Sequence, residues 1–229
     1  MIYDFHTHTL LSDGALSPIE LINRAQAIGY RAIAIADHVG VGSLARLIEE
    51  SARDCALARD QWDILAIPGI ELTHLPAEKI AETARQAKEL GAWLVIVHGQ
   101  TPAEPVPQNT NLAAAGCPQV DILAHPGLLS LEEAKLAAAN NVFIEITTRK
   151  GHCLTNGHVA LVACQAGARL LLNSDAHEEA DLMTAHLAAT AAQGAGLDEA
   201  QCHQLLRINP RHLLQQVPQC AQYLPRLPA

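Results

Sequence analysis

The chain has 229 residues, 49% of them hydrophobic, which is enough to bury one sizeable core and sits at the upper end for a single domain. Fifteen Lys and Arg stand against 24 Asp and Glu, a formal net charge of −9, so the surface is not built to track a nucleic-acid backbone, though a local basic pocket is compatible with it. Only 3% of residues are aromatic, so Ala, Leu, Ile and Val must fill the core, and platforms for stacking single-stranded bases are scarce.

In chain order, seven short β-branched or aliphatic runs at 2–5, 32–36, 64–70, 93–97, 120–124, 142–146 and 169–172 alternate with Ala-rich stretches of helical length. Each run is too short and too continuously apolar for an amphipathic helix, and continuous hydrophobicity is what a strand covered on both faces requires. Ser17-Pro18 opens the first helix and Gly29 stops it, Pro76 opens another that ends at Gly91, and Gly167 closes the stretch after His158. The stretch 43–60 has mixed charge and reads as a solvated helix face. From about Gly194 the pattern is purely helical, then Pro-rich with Pro218, Pro225 and Pro228, which predicts a closing helix pair and a loose tail over 194–229. Repeated (βα) units permit a closed barrel or an open doubly wound sheet, and no G-x-G-x-x-G follows the first run to favour a dinucleotide fold.

Cys55, Cys117, Cys153, Cys164, Cys202 and Cys220 show no C-x-x-C spacing, which disfavours a zinc ribbon and a small disulfide framework. No charged and apolar leader precedes the first run and no stretch of about 18 or more apolar residues is present. A soluble cytoplasmic protein with no membrane partner is expected.

The twelve histidines matter less for their number than for their places. His6 and His8 follow the first run, His38 the second, His98 the fourth, His125 the fifth and His177 the seventh, while Glu71 takes the same place after the third. In a parallel barrel the C-terminal strand ends meet on one rim, where catalytic groups gather, and this favours the barrel. Residues two apart in an extended segment point to one side, so His6 and His8, and likewise Asp175 and His177, are spaced to share a cation. Imidazoles mixed with carboxylates suit Zn, Mn or Fe better than Ca or Mg. With Asp13 the set reaches nine, too many for one ion and sufficient for two or three at roughly four to five ligands each.

These residues stand in motifs that resemble the polymerase and histidinol phosphatase (PHP) superfamily: Asp4-Phe5-His6-Thr7-His8, Ser12-Asp13-Gly14, Ala36-Asp37-His38, Gly69-Ile70-Glu71, Val97-His98-Gly99, Ala124-His125-Pro126-Gly127 and Asn173-Ser174-Asp175-Ala176-His177. The resemblance spans 2–177. It implies a distorted seven-stranded (βα)7 TIM-like barrel over 1–193 within one PHP domain, 1–229, and a trinuclear site. On that resemblance His6, His8, Glu71 and Asp175 hold one ion. Glu71 bridges to a second, held also by His98 and His125, and Asp13, His38 and His177 hold the third. Some relatives carry His where this chain has Asp13. Two ions about 3.5–4 Å apart bring the pKa of a shared water toward about 7, so hydrolysis through a metal-activated water needs no nucleophilic Ser or Cys.

The loop after the sixth run, ending Arg149-Lys150-Gly151-His152, occupies the one rim position without a metal ligand. Arg149 or Lys150 is expected to engage a substrate phosphate, and His152 to protonate the leaving group. Histidinol-phosphatase-like members carry a similar run followed by Asn-Gly-His, which implies a rim role for Asn156 as well. His74, His158, His186, His203 and His212 read as structural or solvated. Asp37 is either an orienting partner for an imidazole or an exposed strand-end carboxylate, and the loop 99–111, with Pro102, Pro105 and Pro107, is a lip over the site or a plain connector. The leading expectation is a phosphatase acting on a small phosphate monoester, with two or three divalent ions. A phosphodiesterase or 3′ exonuclease on short nucleic acid is the alternative. A non-catalytic metal-binding regulatory domain is a third, disfavoured because all nine ligand positions are filled.

Overall fold

Runs of Ile, Leu, Val and Ala survive as strands only where both faces are covered, and a barrel wrapped by helices does this. In a computed structural model, which describes residues 1–224, all seven apolar runs are strands: β1 (Ile2–Asp4), β2 (Tyr30–Ile35), β4 (Leu65–Leu72), β5 (Leu94–His98), β6 (Ile122–Ala124), β7 (Phe143–Thr147) and β8 (Leu170–Asn173). The extra strand is β3 (His38–Val39), two residues that pair with β4 and set His38 beside Glu71. Too short to leave a periodic signal, it is invisible in the sequence.

All pairings are parallel, in the order β1-β2-β4-β5-β6-β7-β8 with β3 beside β4. The ends of this path meet beyond β1 and β8 through a parallel bridge from Thr7 to Ala176, where the His8 amide donates to the Ala176 carbonyl (2.8 Å) and the Asp175 amide to that of His6 (2.9 Å). One step earlier the Phe5 amide donates to the Asn173 side chain (2.9 Å), so a side-chain amide stands in for the backbone ladder. The result is a distorted, nearly closed (βα)7 TIM-like barrel.

Helices α1 (Pro18–Ala27), α2 (Leu44–Gln61), α3 (Ile80–Glu89), α4 (Thr110–Ala115), α5 (Leu131–Asn140) and α6 (Asn156–Ala166) cover the outside. Pro18 starts α1 and Gly167, at φ 69°, ends α6, as their residue types dictate. The solvated reading of 43–60 holds for only one side of α2, because Leu44, Leu47, Ile48, Cys55 and Ala58 recur at helical spacing and are buried.

Alternate strand residues point inward: Tyr3 and Phe5, Ala32, Ala34 and Ala36, Leu65 and Ile67, Leu94 and Ile96, Ile122 and Ala124, with Phe143 and Leu171, form the interior. The C-terminal region departs from the expected helix pair and loose tail. After α7 (Ala185–Gly194) and α8 (Glu199–His203), a π-helical turn at Gln204–Ile208 leads into α9 (Asn209–Gln216) and α10 (Pro218–Ala221). Leu213, Leu214, Val217 and Cys220 are buried against the barrel interior, and Asn209 donates to the Leu170 carbonyl (2.8 Å) at the start of β8. These helices plug the end of the barrel opposite the strand C-termini. Pro218 begins a helix rather than a tail, and Pro225 and Pro228 lie outside the described residues. Leu214→Ala is expected to lower the unfolding free energy by about 2–5 kcal/mol in urea titrations, whereas a change of under about 0.5 kcal/mol would mean that the plug carries no core. Among the described residues no helix is long and apolar enough to cross a membrane.

Candidate metal centre

The opposite end of the barrel gathers the polar residues. Glu71 lies within β4, two positions on from Gly69, and is fully buried, while His98 is the last residue of β5. Glycine after His98 lets two strand ends close up, since a Cβ on Gly99 would run into the Ala124 carbonyl oxygen. Gly127, at φ 64°, is likewise pressed against the Gln100 carbonyl. The His98 and His125 rings meet at 4.6 Å in consequence. His125 (φ 25°) and Asp175 (φ 54°) hold backbone conformations that L-residues rarely adopt, at about 1–3 kcal/mol each. Such strain persists where the surrounding structure dictates a side chain's direction.

All nine predicted ligand residues converge here. Glu71 lies at the centre, with Oε1 3.2 Å from His6 Nε2 and 3.7 Å from His125 Nε2, and Oε2 2.6 Å from His38 Nδ1 and 3.9 Å from His8 Nε2. Asp175 Oδ1 is 3.1 Å from His8 Nε2 and 3.9 Å from His6 Nε2. Asp13 Oδ2 lies between His177 Nε2 (3.3 Å) and His38 Nε2 (3.7 Å). Donor atoms fall within 4.8 Å of one another in four sets: His6, His8 and Asp175; His6, Glu71 and His125; His8, Asp13, His38 and His177; and His98, His125 and His152. Each set has the size and chemistry to hold a cation. The sharing of His6, His8 and His125 between sets makes the centre one connected cluster.

Charge balance points the same way. Burial brings His8 down to about 4 and holds His125 well below its ordinary value, so both are neutral. At His6 burial is outweighed by the Glu145, Glu71 and Asp175 carboxylates, which raise it well above the usual range. At His38 burial is again outweighed, by Glu71 and Asp13, and the value rises to about 9. Burial would raise Glu71 and Asp175, but the imidazoles around them hold both far below the carboxylate range. Ionised carboxylates thus demand positive charge in a buried space, which protons on His6 and His38 meet here and which divalent cations meet equally. Both ring nitrogens of His8, His6 Nε2, His125 Nδ1 and Glu71 Oε1 are buried without a hydrogen bond. Orphaned donors and acceptors at such density fit a metal centre.

Among the supporting residues, reading the sequence gave no such role to Glu145 or Asp4. Glu145 is fully buried in β7, accepting from His6 Nδ1 (2.9 Å), Asn173 Nδ2 (2.7 Å) and the His125 amide (3.1 Å). With Nδ1 engaged, His6 turns Nε2 to the cluster. A lone carboxylate inside Phe143-Ile144-Glu145-Ile146 was the available signal. Asp4, raised to about 7 by burial, accepts from the Ser174 amide (3.1 Å) and ties β1 to the segment carrying Asp175. Asp37 is buried and orients no imidazole. It accepts from the Thr9 amide and hydroxyl (both 2.7 Å) and the Ser12 hydroxyl (2.5 Å), which fixes the loop that presents Asp13.

The rim residues divide. Arg149 pairs with Asp181 (2.9 Å), whose carboxylate also accepts from the His177 amide (3.0 Å), so the guanidinium is committed on one side to the His177 loop. Lys150 is exposed. Asn156, expected at the substrate, instead uses both ends of its amide on Thr147, donating to its carbonyl (2.7 Å) and accepting from its amide (3.1 Å), and so braces the end of β7. His152 packs against His125. The Pro-rich loop reaches the centre, because Glu104 Oε1 lies 2.7 Å from His98 Nε2. His74, half exposed, stands 3.8 Å from the same carboxylate, whereas His158 is satisfied by the Leu129 carbonyl (2.8 Å).

The PHP domain model matches residues 4–193. The chain belongs to the PHP domain family. An uncharacterized protein of Methanocaldococcus jannaschii is 43% identical over 218 residues, 95% of this chain and 100% of its own length. Ribonuclease P protein component 3 of Methanosarcina mazei is 28% identical over 93% of this chain and 88% of its own. Among solved structures, hisK of Listeria monocytogenes, a proposed histidinol phosphatase, shares the PHP chain's fold with a TM-score of 0.57 at 11% identity, covering 80% of this chain and 98% of that one.

Proposed function

We propose that this PHP protein is a metal-dependent phosphoesterase that hydrolyses a small phosphate monoester. The observation that carries the reading is Glu71, a fully buried carboxylate within 3.9 Å of four imidazoles, surrounded by buried polar atoms that lack hydrogen bonds. His6, His8, Glu71 and Asp175 would hold one ion, His98 and His125 with Glu71 a second, and Asp13, His38 and His177 a third. Divalent ions such as Zn, Mn or Fe supply Lewis acidity toward water and phosphoryl oxygens. The chain's own part is to present these ligands without reorganisation: Glu145 sets the His6 ring, Asp37 the Asp13 loop, and the strained backbones of His125 and Asp175 their directions. Lys150, exposed beside the Arg149–Asp181 pair, is placed to attract an anionic substrate. With six free cysteines and no disulfide, the protein suits a reducing cytoplasm.

Kinship with a ribonuclease P component favours a second reading, a phosphodiesterase acting on short nucleic acid, against which the net charge of −9 counts. Assays of the manganese-reconstituted protein on p-nitrophenyl phosphate, its bis ester, phosphorylated metabolites and short oligonucleotides separate the two. Monoester turnover that His6→Ala abolishes is expected. Preference for the bis ester and oligonucleotides would establish the second reading, and equal inactivity of wild type and His6→Ala would leave a non-catalytic regulatory domain.

A further inference from the structure

Two side chains from outside the strand ends face the His98 and His125 part of the centre. His152 opens the short turn His152–Thr155, and its ring meets those of His125 and His98 nearly perpendicularly, at 4.3 and 5.9 Å between centroids. The donor nitrogens of these three imidazoles lie within 4.8 Å of one another, so a modest rotation of the rings brings all three to about 2.0–2.1 Å from one cation. His152 Nδ1 is buried without a hydrogen bond and stands 3.8 Å from Asp175 Oδ2.

Glu104 enters from the opposite loop, between Pro102 and Pro105. Its Oε1 is 2.7 Å from His98 Nε2 and 3.7 Å from His152 Nε2. His98 Nδ1 lies 3.1 Å from the Gly99 carbonyl, which leaves Nε2 as the nitrogen directed at the mouth. A plain ion pair would account for Glu104 beside His98. It would not account for an imidazole whose buried nitrogen meets only other ligand-type groups, in contrast to His158 with its backbone carbonyl.

We infer that His152 and Glu104 are further ligands of the ion held by His98 and His125, one imidazole and one carboxylate delivered by two mouth loops. The inference rests on the metal-dependent reading above. It assigns His152 to metal binding rather than to protonation of a leaving group. It also makes the shape of the mouth depend on metal, because the loops carrying residues 104 and 152 are tied together through a shared ion.

The test uses the full chain stripped by chelation and titrated with Co2+ alone, read by visible absorption and by cobalt retained after desalting. Wild type is expected to retain at least two ions. His152→Ala is expected to lose one of them or to weaken the last-filling step by about tenfold or more, with recovery on adding imidazole, and Glu104→Gln to weaken the same step. Titrations of both variants that superimpose on wild type would overturn the inference while leaving the metal-dependent reading intact, and a wild type that retains no cobalt would overturn both. Carbethoxylation of wild type, read by mass spectrometry, needs no variant: cobalt is expected to protect His152 and not the exposed His186. Unchanged labelling of His152 would also overturn the inference.

Discussion

Glu71→Gln is expected to lower kcat of the metal-reconstituted protein on p-nitrophenyl phosphate by on the order of 10³-fold, at the upper end of what loss of one electrostatic partner costs an active site. The substitution keeps the volume and removes one negative charge from a point within 3.9 Å of His6, His8, His38 and His125. Four imidazoles then face a neutral amide whose nitrogen donates where only acceptors are useful. A cation held between them loses its counter-charge, so retained metal is expected to fall in parallel with rate. Steady-state kinetics with elemental analysis of the same samples checks this. A variant within tenfold of wild type, with full metal content, would remove Glu71 from the centre of the scheme.

Glu145→Gln acts one step further out, with an expected loss of about 10- to 100-fold in metal affinity. Its two oxygens accept from His6 Nδ1, Asn173 Nδ2 and the His125 amide, all buried. An amide in this place sets a donor against donors whichever way it is turned, and it frees the His6 ring from the tautomer that points Nε2 inward. Removing one side of a buried charged network also costs about 3–5 kcal/mol, so the metal-free variant is expected to unfold at lower urea than wild type. Equal affinity together with an equal urea midpoint would reduce Glu145 to a bystander.

Much of the barrel was legible in the sequence because its signals are local. A strand covered on both faces is apolar throughout, so β1 and β8 were visible as runs, and Gly167 marks the end of α6 by its own backbone freedom. The candidate ligand residues were legible because they follow the apolar runs and His-x-His sets its pair side by side, whereas Asp175, at φ 54°, leaves the extended chain and joins His6 and His8 rather than the set of His177. The two-residue β3 was not, since pairing alone makes it a strand. Nor was the burial of Leu213, Leu214, Val217 and Cys220, because a helix that plugs a barrel has the same composition as one that lies on a surface.

The partners of the functional groups belong to the same divide. Asp37 follows the second strand in plain view, yet that it serves the Thr9 and Ser12 loop rather than an imidazole depends on a segment 25 to 28 residues away. Glu145 meets His6 across 139 residues of chain. The sequence by itself determined the strand and helix pattern, the ligand types and their order along the barrel rim, because each is written in residue type and spacing. Only the tertiary structure decided which nitrogen each imidazole presents, which carboxylates orient other groups and which ones face the candidate centre, and that two loops bring Glu104 and His152 to the His98 and His125 side. Those outcomes depend on hydrogen bonds and burial between residues far apart in sequence, and no spacing rule encodes such contacts.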